Sequence, residues 1–328
     1  MTQDPPGPAE TAYRCTAVLD EIEHAVVGYR RALELVMIGI LAGGHILIED
    51  LPGLGKTLIA RSFAQALGLE FARIQFTPDL LPSDVVGAPL YDQRTGQMVF
   101  RPGPVFTQLL LADEINRTPP KTQAALLEAM GEGQVSVDGQ TRQLPQPFVV
   151  LATDNPIEYE GTYELPEAQL DRFLIRLRLG YLPASDEVRM LQRRLDRKTE
   201  AAEVRQVTDP ANLLGMRRSL EQVEVSPDVL SYVVAIVSAT RDHPQIQVGA
   251  SPRGGLALVQ LARGQALLQM REFVTPDDIK SVAVAALAHR ITLRPELWVR
   301  QVRADEVIAR LLSSVATPHT DPAAGIRG

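Results

Sequence analysis

Six consecutive residues, Pro52-Gly53-Leu54-Gly55-Lys56-Thr57, carry the clearest chemical signal in the chain. They follow the short apolar run Ile46-Leu47-Ile48 and lead into a helical pattern that starts at Leu58. A glycine-rich turn between strand and helix lets backbone N–H groups close around phosphate, and the positive end of the helix favours the same anion. Lys56 is then placed to reach β- and γ-phosphates and the Thr57 hydroxyl to bind Mg²⁺. The strict G-x-x-x-x-G-K-T spacing asks for glycine at position 50, where this chain has Asp50. On this segment alone, a plain glycine-rich turn stays open.

The second signal is Leu109-Leu110-Leu111-Ala112-Asp113-Glu114, an apolar strand that ends in two acids. An acid at the carboxyl end of a central strand can hold the Mg²⁺ of a bound nucleotide. The acid after it can orient and activate water. Asp113 and Glu114 are therefore the metal and base candidates. Acids that merely cap the next helix are the alternative, disfavoured because the phosphate loop occurs in the same chain.

The elements that must position these groups can be read from the hydrophobic pattern. Ile46–Ile48, Ala72–Phe76, Leu109–Ala112, Val149–Thr153 and Leu174–Leu179 read as strands, most of them apolar throughout, as central strands covered on both faces are. The last alternates, with Ile175, Leu177 and Leu179 opposed by Arg176 and Arg178. Leu58, Ile59, Phe63 and Leu67 follow helical spacing up to Gly68. A further helix is bracketed by Thr118 as N-cap, Pro119 and Gly131. Asp138-Gly139 predicts a hairpin, and Arg94-Thr95-Gly96 a second turn. Beyond Pro183 the strand runs stop. Asp209-Pro210, Ser226-Pro227, Ser251-Pro252 and Thr275-Pro276 each pair a capping residue with proline at the first helical position. The expected organisation is a disordered start over 1–10, an α/β domain over 11–182 with hairpin insertions near 88–101 and 134–144, a helical domain over 183–315, and a disordered tail over 316–328.

Composition bounds the setting. The chain has 328 residues, 45% of them hydrophobic and 22% charged, with net charge −7. That balance is not the signature of a protein drawn in bulk to nucleic acid or anionic lipid. The longest apolar stretch, Val36 to Ile48, is broken by glycines and too short to span a bilayer, and the first residues do not read as a signal peptide. The single cysteine, Cys15, excludes an internal disulfide framework. A cytoplasmic protein is expected. The five histidines show no paired spacing, so zinc is not expected. Arg189, Arg193, Arg194, Arg197 and Lys198 give one helix a basic face interleaved with acids, read as a solvated surface.

Three long segments then point to a family. Asp113-Glu114-Ile115-Asn116-Arg117-Thr118-Pro119-Pro120-Lys121-Thr122-Gln123 resembles a segment typical of MoxR-type AAA+ ATPases. So do Arg73-Ile74-Gln75-Phe76-Thr77-Pro78-Asp79-Leu80-Leu81-Pro82-Ser83-Asp84 and Leu165-Pro166-Glu167-Ala168-Gln169-Leu170-Asp171-Arg172-Phe173. The likeness covers about residues 15 to 312, and in that family position 50 is Asp or Gly. The resemblance implies an αβα sandwich around a parallel sheet, followed by a smaller all-α lid. It also implies ATP and Mg²⁺ as cofactors. Asn155 falls at the sensor-1 position that helps place the attacking water, after Asp154, where the family more often has glutamine. Arg172 falls where such rings supply an arginine finger to the neighbouring subunit; a surface ion pair with Asp171 or Glu167 is the other reading. Arg253 resembles sensor 2, with an unremarkable exposed arginine as the other reading. As a cation in the first turn after Ser251 it opposes the helix dipole, a balance that a bound phosphate would reverse. Val27-Gly28 resembles the adenine-side contact, or is a simple turn. The family further implies a homo-oligomeric, hexameric ring that remodels or activates client proteins, with a von Willebrand factor A domain partner and in some cases metal-cofactor insertion. The competing class is an AAA+ nucleic-acid-dependent motor or loader.

Overall fold

The computed structural model describes residues 6–155, 162–199, 202–297 and 301–318. They divide into two compact units: Arg14–Gly215, and the residues up to Tyr13 together with those from Met216 onward. The boundary expected at Pro183 falls inside the first unit. Residues 1–5 and 319–328, at the two ends expected to be disordered, lie outside the described residues.

Helix α1 (Pro8–Glu23) begins inside that expected disordered start, because Pro8 supplies the fixed φ of a first helical position. Helix α2 (Arg30–Leu41) leads into β1 (His45–Glu49), and α3 (Lys56–Leu67) into β2 (Phe71–Gln75). After the short α4 (Pro82–Val86) comes a hairpin of β3 (Gly87–Asp92) and β4 (Gln97–Pro102). Strand β5 (Leu109–Asp113), helix α5 (Pro120–Glu132) and a second hairpin of β6 (Gln134–Val137) and β7 (Gln140–Gln143) follow. The unit continues with β8 (Val149–Asp154), α6 (Glu167–Leu170), β9 (Phe173–Leu177) and α7 (Ala184–Arg197).

Five strands form one parallel sheet in the order β2-β5-β8-β1-β9. The apolar runs behave as their composition demands: β5 is buried throughout, β8 and β1 nearly so, and the edge strand β9 alternates. One core packs Leu47, Leu110 and Val150 of the sheet against Leu126 and Leu127 of α5. Gly68 closes α3 in the left-handed region, as its position predicts. Helix α5 differs from expectation by one register. Pro119, not Thr118, is its N-cap, and the left-handed C-cap is Gly133 at φ 63°, while Gly131 stays within the helix. Asp138 and Gly139 both take positive φ and join β6 to β7 across two residues. Helix α7 buries no residue. Its Val188, Leu191 and Leu195 remain 59–69% exposed, so beside the expected basic face it also carries an apolar one.

The chain continues through α8 (Pro210–Ser219), α9 (Pro227–Asp242), β10 (Ile246–Val248), α10 (Pro252–Leu268), α11 (Pro276–Leu287), β11 (Thr292–Leu293) and α12 (Ala304–Ser314). All four capping-residue-plus-proline pairs begin helices. Ser226, Ser251 and Thr275 accept backbone N–H groups of their own first turns. Among the described residues the helical pattern is joined by a short antiparallel pair, β10 with β11, and by a parallel bridge between Glu224 and Phe273. No described helix is long and apolar enough to cross a membrane.

Candidate nucleotide-binding site

In a parallel sheet the carboxyl ends of all strands lie along one edge, where open α/β folds place ligands. Three neighbouring strands bring the expected residues to that edge. The Pro52–Thr57 loop follows β1, Asp113 ends β5 with Glu114 next in the chain, and Asn155 follows β8, which lies between those two strands. Gly53 and Gly55 adopt φ of 83° and 85°, the left-handed region that disfavours other side chains. A Cβ at either position would have nothing within 4 Å, so the space over the loop is open. Lys56 is buried at the start of α3 and its Nζ donates to the Asp50 carbonyl at 2.6 Å. Burial pulls its pKa down, opposed by Asp50, Asp113, Asp154 and Glu114.

The structure also accounts for Asp50 in place of glycine. Its carboxylate accepts the backbone N–H groups of Leu51 at 2.8 Å, Leu179 at 2.5 Å and Gly180 at 2.7 Å. The residue thereby ties the entry of the loop to the chain leaving β9.

Around the two acids is a set of side chains that loop and strand motifs alone did not single out. The Thr153 hydroxyl donates to Asp113 Oδ1 at 2.7 Å and accepts the Glu114 N–H at 2.8 Å. Arg73 Nη2 donates to Asp113 Oδ2 at 2.7 Å. Gln75 Nε2 and Arg117 Nη1 donate to Glu114 Oε2 at 2.7 and 3.0 Å. Glu114 itself holds φ at 57°, a costly conformation for a non-glycine residue. The signal that would have found Arg73 and Gln75 is their spacing. Two polar residues alternate with Ala72 and Ile74 on a strand whose Gln75 registers with Asp113. Asn155 is buried, and its carbonyl accepts from Asn116 Nδ2 at 3.1 Å. Burial and neighbouring Glu49 push Asp154 up to about 6, against the pull of Lys56 and Arg176.

Beside the loop lies a cleft of about 330 Å³ lined by Val27, Tyr29, Leu54, Leu58, Leu182 and Met190. Its largely apolar walls suit the flat face of a base. Gly28, at φ 83°, leaves no room for a side chain: a Cβ there would stand 2.6 Å from Leu182 and 2.8 Å from Asp186. The donors also fit Mg²⁺ brought with a nucleotide. One hydroxyl, Thr57, and one carboxylate, Asp113, suffice when phosphate oxygens and water complete the shell. Among the described residues no group of three or more His, Cys, Asp or Glu marks a resident metal of another kind.

Two expected residues lie elsewhere. Arg172 precedes β9 and so stands at the amino edge of the sheet, where its Nη1 donates to the Leu127 carbonyl at 2.8 Å. Arg253 is exposed in the first turn of α10, in the second unit, its N–H donating to Ser251 Oγ at 3.2 Å.

Known proteins resemble the chain over most of its length. Residues 45–175 match the model of the ATPase family associated with various cellular activities (AAA), and residues 238–311 match the AAA lid domain. Chaperone MoxR1 of Mycobacterium tuberculosis is 38% identical, over 97% of this chain and 87% of that protein. The chain is a MoxR-family AAA+ ATPase. YeaC of Bacillus subtilis is 46% identical over 92% of this chain and 93% of its own length. A crystal structure from Cytophaga hutchinsonii superposes with a TM-score of 0.88 at 39% identity, covering 95% of this chain and 97% of the other. Members of the family thus share both units with this chain, and the lid match contains Arg253.

Proposed function

We propose that this family member hydrolyses ATP with Mg²⁺, in a ring of identical copies, to remodel or activate client proteins. The observation that carries the proposal is the convergence of the Pro52–Thr57 loop, Asp113–Glu114 and Asn155 at the carboxyl ends of three adjacent strands. Backbone N–H groups of residues 53–57 and the Lys56 ammonium bind the phosphates. Val27, Gly28 and Leu58 flank the base. Thr57 and Asp113 hold Mg²⁺. Bound there, the ion supplies positive charge against the phosphate oxygens. Glu114 orients the attacking water and accepts its proton, and Asn155 fixes the direction of approach.

Arg172 acts in trans. Its own sheet lies between it and its own phosphate loop: five residues of strand at about 3.3 Å each put roughly 16 Å between the two edges. A cation on the far edge serves a neighbouring copy's nucleotide, which makes hydrolysis depend on assembly. Arg253 contributes from the lid. A von Willebrand factor A domain partner and metal-cofactor insertion as one outcome of client activation belong to this reading through the family resemblance, and a cytoplasmic setting through the composition.

The test is phosphate release from ATP by the full chain with Mg²⁺ or with a chelator, then with duplex DNA or a von Willebrand factor A domain protein added. Activity is expected to require Mg²⁺ and to respond to the protein partner. A large rise with DNA alone would overturn the client-protein reading in favour of a nucleic-acid motor.

A further inference from the structure

Helix α5 carries a glycine in its last turn at a surface position, where alanine would favour the helix by about 1 kcal/mol. Gly131 has no positive φ and closes no turn; Gly133 does that two residues later. Backbone conformation therefore does not explain it. Space does. A Cβ at Gly131 would stand 2.0 Å from Arg172 Nη1 and 3.2 Å from its Cζ, and its three nearest neighbours are all atoms of the Arg172 guanidinium group. The guanidinium lies across the bare backbone of this turn and donates to the Leu127 carbonyl at 2.8 Å. The negative end of the helix dipole lies in the same turn and favours a cation.

The turn is itself anchored to the sheet. His45, at the start of β1, accepts the Val150 N–H on Nδ1 at 3.0 Å, which leaves the proton on Nε2 to donate to the Met130 carbonyl at 3.1 Å. Two side chains from the amino edge thus hold carbonyls of one helical turn, His45 at 130 and Arg172 at 127. At the other end of α5, buried Gln123 brings its Nε2 within 3.1–3.2 Å of the Ile115, Thr118 and Tyr163 carbonyls, gripping the loop that follows Glu114. One helix therefore runs from the catalytic acid of its own site to the cation offered to another.

We propose that Gly131 is a positioning residue that seats Arg172 on the last turn of α5, aimed at the nucleotide of a neighbouring copy. This rests on the reading of Arg172 as a finger acting in trans. A long arginine side chain free in solvent must be ordered on each turnover, whereas the seat orders it in advance.

Gly131→Ala separates the seat from the fold. The atoms it displaces are the far end of a flexible side chain, and alanine suits the helix, so the melting temperature is expected to hold or rise. The kcat for ATP should fall about tenfold, the factor that about 1.4 kcal/mol of lost pre-organisation corresponds to, with KM unchanged. Gly131→Ser provides a second filled seat and should behave alike. Mixed with inactive Glu114→Gln, Gly131→Ala should regain activity beyond the sum of the two. Such rings contain boundaries that join an intact acid to a normally seated arginine, and a folding defect would show no such rescue. A kcat at or above the starting value in both variants would overturn the seat. Failure of Arg172→Ala to be rescued by Glu114→Gln in demonstrably mixed rings would overturn the finger itself. Rescue there, with Gly131→Ala indistinguishable from the starting protein, would overturn the seat alone.

Discussion

The two edges of the central sheet are built on opposite principles. Along the carboxyl edge, acids and bases crowd together: Asp113 is held by Thr153 and Arg73, Glu114 by Gln75 and Arg117, and Lys56 lies buried among four carboxylates. The amino edge carries neutral His45, bonded on both ring nitrogens, and Arg172 laid on a helix end. The difference teaches that a single copy offers two unlike half-sites. On the proposed reading one edge binds phosphate and prepares water, and the other stabilises charge on a neighbouring copy's nucleotide.

Removing Lys56 from the carboxyl edge or Arg172 from the amino edge gives the two largest expected effects. Lys56→Ala removes the ammonium proposed to meet the β- and γ-phosphates, and nucleotide affinity should fall at least about a hundredfold, as a charge-assisted contact of about 3 kcal/mol implies. Calorimetric titration with ATP checks this, and unchanged affinity would break the assignment of the loop. At the amino edge, Arg172→Ala should leave that affinity within about twofold while kcat falls about a thousandfold, the scale of arginine fingers elsewhere. Equal losses of affinity in the two variants would mean that the edges are not functionally distinct.

Much of the carboxyl edge was legible because its chemistry is local. The glycines, Lys56 and Thr57 are contiguous, and Asp113 and Glu114 close a run of four apolar residues, so strand and site announce each other. The support around them was not legible in that way. Thr153, Arg73, Gln75 and Arg117 meet the acids from different elements, and only strand order makes β2 and β8 the neighbours of β5. Asp50 departs from the strict spacing but fits the family resemblance, and only the fold places its carboxylate on the chain leaving β9. On helix α5, Gly131 read as the stop because glycines punctuate helices, but Gly133 adopts the left-handed cap. A glycine whose bare backbone lies under a side chain from a distant segment has no signature in one dimension.

Asp154 measures what the carboxyl edge costs the fold. Burial and Glu49 raise its pKa from 3.8 to about 6, so the folded chain holds its proton to higher pH than the unfolded chain does. Its contribution to stability is therefore greatest below pH 4, declines as pH rises through about 4 to 6, and is level above that. Asparagine does not ionise and escapes the decline. Asp154→Asn should match the starting protein in denaturant stability near pH 4 and exceed it by about 2 kcal/mol at pH 8. A constant difference across that range would show that Asp154 matters through packing rather than charge.

The smallest effect probes the edge most finely. Gln75 occupies the last position of an edge strand, and its amide reaches the same Glu114 oxygen as Arg117. Two donors from separate elements fix the direction of a carboxylate that must receive a proton from one particular water. Removing Gln75 leaves Arg117, so the carboxylate is loosened but still held. For Gln75→Ala we expect kcat to fall about fivefold, with KM for ATP within about twofold, because a single side-chain hydrogen bond is worth about 1 kcal/mol. The sign decides between two roles for β2. A lower kcat means that the strand aims Glu114 for attack. A higher one means that it restrains the acid, and the carboxyl edge would then be a site held in check until something moves β2.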